Sequence, residues 1–80
     1  MDLNIETNIE MMVLLLAIYK KEENESLIDI VKTLENSNVF SFKEGKKFLK
    51  ILKNDKYILD DRLTMIGIQK AKEAEMAFKI

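Results

Sequence analysis

The stretch Ser41-Phe42-Lys43-Glu44-Gly45-Lys46-Lys47-Phe48-Leu49-Lys50-Ile51-Leu52-Lys53-Asn54 decides how the chain folds, because its polar and apolar residues separate at helical spacing. At about 3.6 residues per turn, Lys43, Lys46, Lys47, Lys50 and Lys53 fall on one broad stripe. Phe42, Gly45, Phe48, Leu49 and Leu52 fall opposite and supply a face that packs. Ser41 and Glu44 form an S-x-x-E capping box, which predicts a helix beginning at Phe42. A basic stripe on an exposed helix face is the footprint of an element that meets phosphates.

The rest of the chain sharpens this contrast. Residues 1–40 carry eight acidic side chains against three lysines, residues 41–56 carry six lysines against Glu44 and Asp55, and residues 57–80 balance at four each. A formal net charge of -1 therefore conceals a strong local asymmetry. Solvated helix faces usually mix signs, with Glu placed to pair with Lys, whereas here only Glu44 interrupts five lysines.

Upstream of the stripe, Thr7 or Asn8 caps a first helix over about 8–21, with Glu10 in the turn where the helix dipole favours negative charge. Its middle, Met11 to Tyr19, is apolar all round, which predicts burial on several sides, either as the central helix of a monomer or with one flank against a second subunit. Ser26 with Asp29 approximates a second capping box, and Leu27, Ile30, Val31 and Leu34 mark the stripe of a helix over about 26–35. Asn36-Ser37-Asn38 supplies turn chemistry. The third helix then spans about 42–54. Two short helices joined by a brief polar turn, the second carrying the positive stripe, have the layout of a helix-turn-helix.

Downstream, Tyr57-Ile58-Leu59, the turn Asp60-Asp61 and Arg62-Leu63 predict a very small hairpin over about 57–63. Thr64 caps a last helix over about 65–78, with apolar positions Met65, Ile66, Ile68, Ala71, Ala74, Ala77 and Phe78. Gly67 near its start is a poor helix former, and its place there predicts that another backbone comes close. The methionines of the helices, Met11, Met12, Met65 and Met76, are read as core, and Tyr19 and Tyr57 as anchors with hydroxyls near solvent.

This order of elements, and above all Tyr57-Ile58-Leu59 followed by Leu63-Thr64-Met65-Ile66-Gly67, resembles the winged helix-turn-helix family of DNA-binding domains, in particular small bacterial and archaeal regulators. The likeness runs from about Asn8 to Phe78. It implies a mainly α fold with a minor β part: a three-helix core, a short hairpin wing and a C-terminal helix. It also implies that the helix at Ser41 to Asn54 enters the major groove and that the turn Asp60 to Arg62 lies beside neighbouring backbone or the minor groove. The chain departs from that pattern in placing Asp60 and Asp61 at the tip of a short wing, which leaves Arg62 as its contact. Its stripe also holds lysine alone, suited to phosphate more than to bidentate base contacts.

Composition excludes much else. With no cysteine and no histidine, disulfides and the usual zinc ligands are ruled out. Asp60-Asp61 lacks a third ligand and reads as a hydrophilic turn. Two glycines build no phosphate loop, and no nucleophile–base pair is present, so no catalytic residue, metal or cofactor is expected. The acidic segment Met1 to Glu6 is unlike a secretory signal, and the longest apolar run falls short of the ~20 residues needed to span a bilayer. The expectation is a single cytoplasmic domain over residues 1–80: a homodimeric transcriptional regulator that binds double-stranded DNA, with no membrane and no small-molecule substrate. Lys43, Lys46, Lys47, Lys50, Lys53 and Arg62 form its interface. The alternative is a protein-interaction module on the same scaffold.

Overall fold

A computed structural model describes residues 8–78 of the chain. Four helices and one hairpin follow in the order α1 (Ile9–Lys20), α2 (Leu27–Asn36), α3 (Phe42–Asn54), β1 (Ile58–Leu59), β2 (Arg62–Leu63) and α4 (Met65–Phe78). Each helix begins where a polar side chain satisfies the first-turn amides. Asn8 accepts from the Met11 N–H at 3.0 Å, and capping boxes pair Ser26 with Asp29 and Ser41 with Glu44. Thr7, the other candidate cap, and the acidic segment Met1 to Glu6 lie outside the described residues.

Both α2 and α3 end in the same way. Asn38 and Lys56 take left-handed backbone conformations, and the next N–H reaches back five residues, Val39 to the Leu34 carbonyl and Tyr57 to the Leu52 carbonyl. These are Schellman ends, in which the residue after the left-handed one is apolar and turns inward. Tyr57 accordingly closes α3 rather than opening the hairpin, and the first strand starts one residue later, at Ile58. The sheet is antiparallel, with Ile58 opposite Leu63 and Leu59 opposite Arg62.

The core joins Met11, Leu14, Leu15 and Ile18 of α1 to Leu27, Ile30 and Val31 of α2 and to Phe48, Leu49 and Leu52 of α3. Phe40 plugs the α2–α3 connection and meets Phe48 edge to face, with ring centroids 5.7 Å apart. At Gly45 a Cβ would come within 2.6 Å of Val31 and 2.7 Å of Phe40, so the absence of a side chain lets α3 close on α2.

Helix α4 corrects one expectation. Its buried face consists of Gly67, Ala71 and Ala74, packed chiefly against α1. Met65 and Met76, expected in the core, are 88% and 68% exposed. Small residues win the inner face because the helix starts in contact with backbone. A Cβ on residue 67 would overlap the Tyr57 carbonyl oxygen and lie 3.0 Å from its carbon. Thr64 locks the same junction: its hydroxyl donates to the Lys56 carbonyl at 2.6 Å and accepts from the Gly67 N–H at 3.2 Å. The Thr64 N–H donates to the Tyr57 carbonyl at 3.0 Å. Lys20 of α1 also reaches Glu75 of α4 at 2.7 Å, and this hydrogen bond and charge raise the Lys20 pKa.

Two predictions test this account. Gly67→Ala gains about 1 kcal/mol of helix propensity, yet the clash with fixed backbone costs more, and a net loss of about 1–3 kcal/mol is expected in chemical denaturation. Hydrogen bonds from the Ser26 backbone, and then from its side chain, hold Asp29 below the ordinary carboxylate range. A depressed carboxyl contributes stability above its unfolded value and loses it as pH falls through its folded one. Melting temperature should therefore drop on acidification below about pH 4, and Asp29→Asn should show a shallower drop over that window.

Candidate nucleic-acid interface

Helix α3 is held by its apolar face, so its opposite face is free of packing. Lys43, Lys46, Lys47, Lys50 and Lys53 are all exposed there. Among the described residues none of the five forms an ion pair. The reason lies in Glu44, the one carboxylate within the stripe. Its Oε1 accepts from the Ser41 N–H at 3.1 Å and from the Ser41 hydroxyl at 3.2 Å, so it is turned toward the helix start and away from the lysines. The Lys46 ammonium instead lies 5.6 Å from the centroid of the Phe42 ring, a cation–π contact within one helical turn.

Free helix N-termini attract anions, because unpaired N–H groups and the helix dipole both favour negative charge. Here that end is largely occupied. Glu35, from the last turn of α2, accepts the Phe42 N–H at 3.1 Å, and Ser41 takes the Glu44 N–H at 3.1 Å. Positive potential on α3 therefore comes from its lysine side chains and not from its amino end. Glu35 escaped notice in the sequence because it stands seven residues from its partner, and only the geometry of the turn brings them together.

Arg62 is exposed on β2 but set apart from the ridge. It lines an open groove of about 1150 Å³ between the hairpin and the α1–α2 connection, together with Glu23, Glu25, Asp60 and Asp61 over a floor that includes Ile18. Four carboxylates thus share the groove with Arg62, the one cation of the hairpin, and with Lys21. Asp60 sits at the hairpin turn with φ 56°, a left-handed conformation that Asp tolerates.

Asn54 also belongs to the exposed face. Lys43, Lys47, Lys50 and Asn54 follow one another at intervals of four, three and four, and so form a single row along α3. Among the described residues its carboxamide makes no hydrogen bond.

No group of three or more potential metal ligands occurs among the described residues, and no helix among them is long and apolar enough to cross a membrane. No family model matches the chain, and neither the curated proteins nor the solved structures contain a match.

The ridge carries its own cost, since like charges three or four residues apart each destabilise a helix by about 0.2–0.5 kcal/mol. Replacing Lys47 by Glu sets a carboxylate between Lys43 and Lys50, and the free protein should be stabilised by up to about 1 kcal/mol at low salt. The gain should fade in thermal melts at 1 M salt, where charges are screened.

Proposed function

We propose that this chain is a winged helix-turn-helix domain that binds double-stranded DNA as a small transcriptional regulator. One observation carries the reading: five exposed lysines occupy one face of α3 with no carboxylate partner among the described residues. A packed helix that presents uncompensated cations in a row suits the phosphates flanking a groove. Element order supports the same view, since α2, the turn through Asn38 and α3 follow the helix-turn-helix layout. In this arrangement Lys43, Lys46, Lys47 and Lys50 reach phosphates or base edges, and Lys53 contacts flanking backbone. Arg62, hemmed by Asp60 and Asp61, contributes least.

The domain acts as a homodimer in this reading, with α4 as its contact. The inner face of α1 is spent on the core of its own subunit, whereas Met65, Ile66, Met76 and Phe78 leave apolar surface on α4. Apolar surface of this kind favours a second subunit over water.

A second reading is favoured by the acidic groove beside the hairpin. Glu23, Glu25, Asp60 and Asp61 outnumber Lys21 and Arg62 in its lining, and this net acidity suits a basic protein partner, which makes the chain an interaction module.

Three lysines per subunit, each neutralising one phosphate, give about six contacts in a dimer and a loss of roughly a thousandfold in affinity for mixed duplex between 50 and 200 mM salt. The triple variant Lys46→Glu, Lys47→Glu, Lys50→Glu should abolish duplex retention while keeping the wild-type circular dichroism spectrum. Full DNA affinity in that variant, or a flat salt dependence, rejects the DNA reading. Retention of a protein partner by the same variant, lost in Asp60→Lys, Asp61→Lys, supports the interaction module. Sedimentation should give twice the monomer mass, and Met65→Lys, Met76→Lys should halve it.

A further inference from the structure

We infer that two copies of this chain pair through α4 in antiparallel register, with Met65 of each subunit against Met76 of the partner subunit; this rests on the homodimer reading above. The inner face of α4 is closed by Gly67, Ala71 and Ala74 packed against α1, so its outer face is what remains for a partner. Two adjacent rows make up that outer face. Met65, Gln69, Lys72 and Met76 form one, and all four are exposed. Ile66, Lys70, Glu73 and Ala77 form the other, with Lys70 half-buried. Each row steps by four, three and four residues, the spacing of a seam along which two helices lie side by side.

Both rows read alike from either end. The steps are the same in reverse, apolar residues stand at the ends and polar ones fill the middle. A face with that symmetry is complementary to itself when a two-fold axis crosses the helix near residue 71, because an isologous contact places residue i on j and residue j on i. Met65 then packs on the partner's Met76, and Ile66 on the partner's Ala77. Met65 and Met76 are the most exposed of the large apolar side chains of α4, and their unbranched thioether chains adapt readily to one another.

The polar middle decides the direction. In a parallel two-fold pair each residue meets its own copy, so Lys72 would face the partner's Lys72 and Glu73 the partner's Glu73. In the antiparallel pair Gln69 meets the partner's Lys72, and Lys70 meets the partner's Glu73. Lys70 and Glu73 already pair within the helix at 3.6 Å, and the second helix brings each of them a further opposite charge. Polar residues within a seam fix its register at a cost in stability. They also make this face a poor match for an unbroken apolar groove on an unrelated protein.

Cysteine cross-linking tests the register, since the chain has no cysteine of its own. Residues 65 and 76 stand about 16 Å apart along a helix. Met65→Cys and Met76→Cys, each treated alone with oxidised glutathione, should therefore stay unlinked, whereas an equimolar mixture left to exchange subunits should form a disulfide dimer. Wild type supplies a check that needs no variant: in a dimer of one isotope-labelled and one unlabelled chain, the Met65 methyl of one should show a nuclear Overhauser contact with the Met76 methyl of the other. The inference is overturned by a disulfide in either variant alone, by a mixture that sediments as a dimer yet stays unlinked, or by a wild-type dimer without the methyl contact. A monomer mass in sedimentation up to the concentrations used for NMR overturns the homodimer reading itself, and this inference with it.

Discussion

The backbone of Tyr57 holds the second half of this molecule together. Its N–H closes α3 on Leu52, and its carbonyl accepts from Thr64 and fills the space that a side chain on residue 67 would need. Through these contacts the end of α3, the hairpin and the first turn of α4 become one unit. The hairpin itself has only two residues in each strand, and a ladder that short is marginal in isolation. Its place is set from outside, by Thr64 gripping the Lys56 carbonyl and by Ile58 buried in the core.

The same junction explains why α4 presents such small residues inward. Once Gly67 lies against the Tyr57 carbonyl, the helix axis is too near its neighbours for larger side chains on the positions that follow it on that face. Ala71 and Ala74 are what that spacing accepts, and both are buried. The larger side chains of α4 are left to turn outward. An α1 that is apolar all round suits this arrangement, because it is packed by α4 as well as by α2, α3 and β2.

The helix starts were legible in the sequence, since Asn8, Ser26, Ser41 and Thr64 act through partners three residues away, a distance that local reading spans. The packing of Gly67 was legible for a similar reason, as a glycine in the first turn sacrifices helix propensity and a close neighbouring backbone is what rewards it. The inner face of α4 was not. Its apolar residues are distributed all round the helix, so periodicity left the choice open, and the choice was made by a contact ten residues upstream. Lys56 gave no warning of its left-handed backbone, because lysine has no preference for that region. For the candidate interface, the five lysines follow from spacing alone. The acid-capped start of α3 and the acidic surroundings of Arg62 depend on how the turn and the hairpin fold back, which sequence distance hides.

A charged ridge of this kind is a strained choice for an exposed helix, and the arrangement of Glu44 makes the strain informative. A carboxylate three residues before Lys47 could have softened the repulsion, yet it is bonded to Ser41 and strengthens the cap. Local chemistry thus secures the start of α3 and leaves its lysines uncompensated. Their mutual repulsion weakens the free protein by a few tenths of a kcal/mol for each close pair, roughly. A bound polyanion reverses the sign of that contribution, because each phosphate brought against the ridge removes repulsion as well as adding attraction. The helix cannot relieve the repulsion by unwinding without exposing Phe48, Leu49 and Leu52, whose burial contributes about 1.5–3 kcal/mol each. The apolar face of α3 therefore holds its charged face in place, and the repulsion is relieved by screening salt or a bound anion rather than by a change of shape.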